Sequence, residues 1–474
     1  MEKHFPSSKT LIIGLAVILL IRFFSLALYP LMDTTEARYG EMARIMLETH
    51  NWVTPMFDYG VPFWGKPPMF TWLSAIGFQL FGVNEFGARA PHVMVGIGIL
   101  FLVYRFAVFT FKSIRVGIFA STVLVSTASF LIFSGSVMTD TALTFSIGLA
   151  MAGFWFAWIK QDHRYGYLFF IGLALGLLSK GPLALVLVGI SLFLWLSFTR
   201  QWHLLWRRLP WISGTALMLA IATPWYIIAE LRTPGFLDYF IVGEHIKRFL
   251  VSGWQGDLYG TAHTQPRGMI WVLGIVALLP WTPILLTQFV RKWTKPVSED
   301  AAPHGTLAYL VCWMLAPLIL FTMAGNILMS YVMPALPAAA LLITYFQVKQ
   351  PIKRIWYALG IITPSLIIVV VVALNTAIID KLSDKGLIAT WANQPEHLSA
   401  DLYYAGTKTF SSQYYSRGAI RSMNENESDW LSTQTRPFFI IQSEKSSTVA
   451  TLPEIWQCSL RDENSKRQLF FCEK

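Results

Sequence analysis

Four carboxylates, Asp33, Glu36, Asp140 and Glu244, stand beside the ends of long apolar runs, and so do five cations, Arg38, Lys66, Lys180, Lys247 and Arg248. Tyr39, His245 and Tyr331 hold similar positions. Cations gathered at a membrane surface make an anion site. Phosphate is the anion that bilayers supply, and guanidinium takes it in a bidentate grip. A carboxylate beside a bound phosphate ester serves as a general base toward an attacking hydroxyl, or holds polar groups of the reacting partner. Asp140 is the most pointed candidate, because it interrupts the apolar stretch Val137-Met138-Thr139-Asp140-Thr141-Ala142-Leu143. Its plainer role is to cap a helix, and the two roles are compatible. Lys66 precedes Pro67-Pro68. Proline disfavours helix at the residue before it, so the Lys66 ammonium is expected on an extended or turn segment, presented to solvent or ligand.

Each of these residues alone also suits an interfacial anchor, since a charge at the end of a membrane span costs far less than one at its centre. What raises them above that reading is the elements that carry them. The chain has 474 residues, of which 54% are hydrophobic and 14% charged. Soluble domains carry about 25% charged residues. A lipid-facing surface accounts for the deficit. The net charge of +10 does not indicate nucleic acid, because no basic globular module is present and much of the basic charge sits in short loops between apolar runs.

The chain therefore reads as an all-α polytopic membrane protein. Apolar runs of bilayer length predict about eleven spans, near 10–30, 91–111, 114–136, 139–159, 166–180, 182–199, 210–230, 268–290, 306–324, 328–347 and 355–378. The first run lacks a small-residue cleavage site and reads as a retained anchor. Short-loop Lys and Arg alternate along the chain. One set of loops holds Lys3 and Lys9, Lys112 and Arg115, Lys160 and Arg164, and Arg200, Arg207 and Arg208. It continues with Arg291, Lys292 and Lys295, then Lys349, Lys353 and Arg354. The short loops of the other set hold none, Lys180 excepted, so the first set and the N-terminus are expected in the cytoplasm. The segments 31–90, 231–267 and 379–474 then lie outside, and all the candidate residues share that outer face. Segments 36–49 and 63–80 read as amphipathic helices lying on the membrane. Arg22 falls mid-span in the first run and needs an acidic partner or a cavity.

Residues 1–378 thus form the expected membrane domain, and 379–474 a small α/β periplasmic domain. Cys458 and Cys472 flank the turn-like Asp462-Glu463-Asn464-Ser465, so a hairpin would bring them together in an oxidising compartment. A disulfide is expected there. No cysteine spacing resembles a metal site.

Several motifs run in order along the chain. They are Asp33-Thr34-Thr35-Glu36-Ala37-Arg38-Tyr39-Gly40-Glu41, Trp52-Val53-Thr54-Pro55, Gly65-Lys66-Pro67-Pro68 and Phe81-Gly82-Val83-Asn84-Glu85-Phe86-Gly87-Ala88-Arg89. Met138-Thr139-Asp140, Leu178-Ser179-Lys180-Gly181-Pro182, Glu244-His245-Ile246-Lys247-Arg248-Phe249 and Tyr331-Val332-Met333-Pro334 follow. Over residues 10–345 this order resembles the bacterial GT-C glycosyltransferases related to protein O-mannosyltransferases, and among them the lipid A aminoarabinose transferases. The resemblance implies a sugar transferase with a polyprenyl-phosphate sugar as donor, undecaprenyl phosphate being the carrier, and an active site at the periplasmic face of the bacterial inner membrane. It places Arg38, Tyr39, Lys66 and Tyr331 around the donor phosphate, and Asp140 with Asp33 and Glu36 at the reacting sugar. Lys180, His245 and Arg248 join the phosphate group by position. Two positions depart from the family pattern. Thr35 stands where the family has Asp, and Gly65 where it has Glu before the Lys-Pro pair. The second departure removes a carboxylate that a divalent metal could use. Lipid A or another lipopolysaccharide component is the expected acceptor. A protein hydroxyl, or transport of a lipid-linked sugar in place of transfer, is the alternative. Against transport, the hydropathy shows no internal repeat.

Overall fold

The computed structural model describes residues 5–247, 256, 258–259, 265–294, 302–349, 354–374, 381–423, 436–443, 448–449, 452 and 455–474. Helices begin where short polar side chains take up the orphan amides of a first turn. Ser7 caps α1 (Ser8–Ser25). After α2 (Thr35–Thr49) and α3 (Met69–Phe81), Asn84 caps α4 (Glu85–Phe111), accepting from the Gly87 amide at 2.8 Å. Ser113 caps α5 (Ile114–Val125). A short α6 (Ala128–Phe133) leads into α7 (Thr139–Lys160). Asp162 caps α8 (His163–Lys180), and α9 (Leu183–Thr199) follows.

Every expected interval holds helix, and four are broken, among them 355–378, which passes from a 3-10 stretch, Arg354–Ile361, to Ile362–Leu374. The run 114–136 divides between α5 and α6, where the Ser126 and Thr127 hydroxyls bond back to the Thr122 and Leu124 carbonyls and compete with the helix ladder. The run 268–290 bends by 104° between Met269–Ala277 and the helix that starts at Thr282. Pro280, which has no amide to donate, sits in that break. The run 328–347 opens as a 3-10 turn, Met329–Ala335, before Leu336–Lys349. Among the described residues, five helices are long and apolar enough to cross a bilayer, or six with the bent pair.

The helices separate into central and peripheral ones. In α7, 83% of the apolar window is buried, against 22% in α1. Helix α1 leaves Ile12, Ile13, Val17, Leu20 and Phe24 exposed, a surface suited to lipid and not to water. Arg22 of α1 is buried and donates to Ser25, Tyr29 and the Ile132 carbonyl at 2.9–3.2 Å. Its two Nη atoms find oxygen acceptors where a carboxylate or a cavity was expected, while its Nε is buried without a hydrogen-bond partner.

Helix α2 is buried on nearly all sides. The expectation that it lies on the membrane with one face in water is corrected. It is packed beside α3 and beneath the short helix Phe410–Tyr415, and its internal Glu41–Arg44 pair is buried with it. A two-stranded ribbon, β1 (Met56–Asp58) and β2 (Val61–Pro62), lies between α2 and α3. The tail forms a five-stranded mixed sheet of β3 (Asp401–Ala405), β4 (Ile420–Met423), β5 (Phe438–Ser443), β6 (Gln457–Glu463) and β7 (Arg467–Glu473), in the order β4-β3-β5-β7-β6. The two-residue alternation splits its apolar residues between both faces, Phe439 and Ile441 on one and Phe438 and Ile440 on the other. Strands β6 and β7 pair as the expected hairpin, with Asn464 Oδ1 accepting from the amides of Lys466 and Arg467. Cys458 and Cys472 are register partners in it and are joined by a disulfide.

Candidate active site

The central feature is the mouth of the α7–α8 hairpin. Gly172 of α8 lies so close to α7 that a Cβ there would meet the Ala150 nitrogen at 2.5 Å. Small residues let two helix backbones approach in this way. The approach brings the first turn of α7 against the last turn of α8, so Lys180 Nζ meets Asp140 Oδ1 at 2.7 Å with both side chains buried. The chain then reverses at Gly181, whose φ of +71° and contact with Phe240 exclude a side chain. Asp140 lies inside the first turn, and the N-cap position is Met138, so Asp140 is not the cap. The Lys180 ammonium also sits 4.3 Å from the centre of the Tyr331 ring.

The second cation comes from the segment between α2 and α3. Lys66 Nζ meets Glu244 Oε2 at 2.8 Å, across 178 positions of sequence. Glu244 belongs to Asp238–Lys247, a π-helical turn. Arg38 of α2 donates to the Tyr259 carbonyl at 2.7 Å and lies against the rings of Tyr39 and Phe410. Its Nε is buried without a hydrogen-bond partner, an unspent donor at the edge of a cavity.

These groups line one space of about 190 Å³, with Thr34, Thr35, Tyr39, Thr139 and Tyr331 also in its wall. Among the described residues of its wall, three cations, Arg38, Lys66 and Lys180, face two carboxylates, Asp140 and Glu244. A larger space of about 420 Å³ adjoins it, sharing Lys66, Lys180, Glu244 and Tyr331. The rest of that space is largely apolar, with Leu183, Val186, Ile241, Leu320 and Phe321.

Of the residues expected at the site, Arg38, Tyr39, Lys66, Asp140, Lys180 and Tyr331 line the polar cavity. His245 lines the apolar one, its ring nitrogens facing the carbonyls of Phe240 and Lys180 at 2.7 and 3.2 Å. Burial holds its imidazole below the usual histidine range. Arg248 lies outside the described residues. Asp33 and Glu36 are corrections. Neither lines the cavity. Glu36 is gripped by Arg89 at 2.8 and 3.0 Å and by the Val137 amide. Burial pushes its carboxyl up, but the Arg89 charge and these hydrogen bonds prevail and hold it below the ordinary range. Asp33 accepts from the Ser411 amide at 2.9 Å and from the Ser411 hydroxyl. It joins the first loop to the tail. Glu244, noted in the sequence beside the basic motif, belongs in the lining, and so does Tyr259, which no sequence signal singled out. Phe410 enters from the tail, with no signal in the sequence. Among the described residues, no three His, Cys, Asp or Glu side chains come together as ligands for a metal ion.

Residues 7–240 match the family model described as dolichyl-phosphate-mannose-protein mannosyltransferase. An undecaprenyl phosphate-alpha-4-amino-4-deoxy-L-arabinose arabinosyl transferase of Pseudomonas fluorescens is 29% identical over 341 residues, 70% of this chain and 57% of that protein. The corresponding transferase of Aeromonas salmonicida is 30% identical over 66% of this chain and 55% of its own length. The chain thus spans somewhat more than half the length of these relatives. The solved structure of ArnT from Cupriavidus metallidurans bound to undecaprenyl phosphate superposes with a TM-score of 0.76, covering 98% of both chains at 17% identity. The chain is a GT-C protein similar to the aminoarabinose transferases. At that identity the superposition establishes the fold, including the tail sheet. The apolar helices and these relatives make the GT-C chain a multi-pass inner-membrane protein.

Proposed function

We propose that this GT-C protein is an integral-membrane glycosyltransferase that moves a sugar from a polyprenyl-phosphate donor to lipid A or another lipopolysaccharide component. The observation that carries this reading is the joining of two cavities of opposite character through shared residues. A triply cationic polar space opens onto an apolar groove, with Lys66, Lys180 and Tyr331 at the junction. A lipid phosphate needs that arrangement, its chain in the groove and its anion among the cations. The relatives that carry undecaprenyl phosphate in their names support the same carrier.

In the reaction, an acceptor oxygen forms the new bond to the anomeric carbon. The bond from that carbon to the phosphate oxygen breaks, and its electron pair leaves with the polyprenyl phosphate. Negative charge grows on the leaving phosphate, where Arg38, Lys66 and Lys180 stabilise it. A phosphate acceptor is already anionic and gives up no proton. A hydroxyl acceptor gives its proton to a base, and Asp140 is one of the two carboxylates described on the cavity wall.

The finer topology belongs to the same proposal. We assign about eleven spans, a cytoplasmic N-terminus, a membrane domain over 1–378 and a periplasmic domain over 379–474. Short-loop charge supports the orientation, and a helix in each expected interval supports the count. Mass spectrometry of lipid A from a deletion strain, the complemented strain and a Lys66→Ala strain tests the function. A sugar mass present only with the intact protein is expected. Identical spectra from all three strains would remove lipid A as acceptor.

A further inference from the structure

The cations of the cavity are held by different means. Lys66 and Lys180 each meet a carboxylate, Glu244 and Asp140 respectively. Among the described residues, no carboxylate pairs with Arg38. Its guanidinium rests on neutral groups: the Tyr259 carbonyl at 2.7 Å, the Tyr39 ring at 5.0 Å and the Phe410 ring at 5.7 Å. Both rings lie within cation–π range. Neutral supports fix the direction of a long, rotamer-rich side chain without cancelling its charge, so the guanidinium is organised before a phosphate arrives.

Tyr39 is the neighbour of Arg38 on α2, and its ring comes with the helix. The Phe410 ring arrives from the tail, and its placement is fixed from several directions. The Ser411 amide donates to Asp33 at 2.9 Å, and Lys408 pairs with Asp58 at 2.8 Å. Gln413 donates to the same Asp58 at 2.8 Å. The Tyr415 hydroxyl donates to Glu85 at 2.9 Å and accepts from the Leu31 amide at 2.8 Å. The Phe410 ring stands edge-on to Phe57 of β1, with centroids 5.3 Å apart. These ties reach separate segments of the chain on both sides of Phe410. That is more than a tether needs, and no single tie carries the placement.

We infer that Phe410 is a positioning residue for the donor phosphate: the tail delivers its ring to Arg38, and the ring aims that guanidinium into the cavity. This rests on the glycosyltransferase reading above. The test titrates the full chain in lipid nanodiscs with undecaprenyl phosphate, and native mass spectrometry reads Kd. Phe410→Leu should weaken binding about tenfold, the size of a desolvated cation–π contact. Phe410→Tyr keeps the ring and should stay within about twofold of the unaltered protein. Phe410→Met, ringless but close in volume, is read alongside, and an unchanged melting temperature identifies the folded variants. In Arg38→Met, Lys66, Lys180 and the apolar groove still hold the lipid, so a weaker affinity remains measurable. There, adding Phe410→Leu should change Kd by less than about twofold, because its effect passes through Arg38. Unchanged affinity in the ringless variants overturns the inference and leaves the transferase reading standing. So does a loss that persists in Arg38→Met, which would place the ring on the lipid itself. Failure of the unaltered protein to bind undecaprenyl phosphate overturns both.

Discussion

The entrance to α2 and the mouth of the α7–α8 hairpin carry the same chemistry in the sequence and opposite roles in the fold. Both present acidic residues near the end of an apolar helix, with a cation to match. At the hairpin mouth, Asp140 and Lys180 pair on the wall of a cavity, within reach of anything that enters. At the α2 entrance, Glu36 is enclosed by Arg89, which also donates to the carbonyls of Leu26, Tyr29 and Pro30 at 2.7–2.8 Å. Asp33 is taken by the tail. A charge whose partners are all protein and all buried holds a fold together. A charge whose pair forms part of a cavity wall is available to a substrate. Residue type does not separate the two cases, but enclosure does.

The contrast breaks first if a cavity cation proves dispensable. Lys66→Ala should lower transfer about 100- to 1,000-fold by removing charge stabilisation at the leaving phosphate. Its melting temperature in detergent should stay near that of the unaltered protein. Arg89→Ala should do the reverse. It strands a buried carboxylate and three carbonyls, and should cost about 3–5 kcal/mol of stability. Little protein should then survive extraction, as fluorescence-detected size exclusion would record. Full yield with lost transfer would place Arg89 in the machinery and erase the distinction.

Smaller effects sharpen the boundary. Cys458→Ser opens the β6–β7 hairpin at the edge of the sheet and should cost the tail about 3 kcal/mol, read as faster proteolysis of that domain. Transfer should fall less than in Lys66→Ala, because β6 contributes no cavity residue. Asp33 gives the weakest signal. Burial pushes its carboxyl above the ordinary value of 3.8, more than the Ser411 hydrogen bonds pull it down. The folded protein thus holds that proton more tightly than the unfolded chain does. The stability from this group is complete below pH 3.8 and is lost as pH rises through the folded value. Asp33→Asn should remove that dependence and shift stability at pH 7 by no more than about 1 kcal/mol. A large loss of transfer in Asp33→Asn would restore it to the site.

Much of the architecture was legible because it follows from local patterns. Apolar runs of bilayer length located the helices, and each break fell at proline or at hydroxyl residues that bond back to the helix. Alternating apolar residues and a turn-forming Asn464 located the β6–β7 hairpin, and the disulfide followed from it. The site was legible in its cations, since Lys66 and Lys180 stand out against their surroundings. It was not legible in its carboxylates. Four were visible as candidates, and two are consumed by partners 53 and 378 positions away.

The sequence by itself determined that this chain lives in a membrane, which segments become helix, and that cations gather on one face. These depend on composition and on spacings shorter than a bilayer's thickness. Only the tertiary structure decided which charges stand on a cavity wall, and that Phe410 of the tail lines it. Those outcomes depend on contacts between distant residues in a low-dielectric interior. There an ionised group must be satisfied by whatever the packing brings to it, and the cost of leaving it alone selects the pairs.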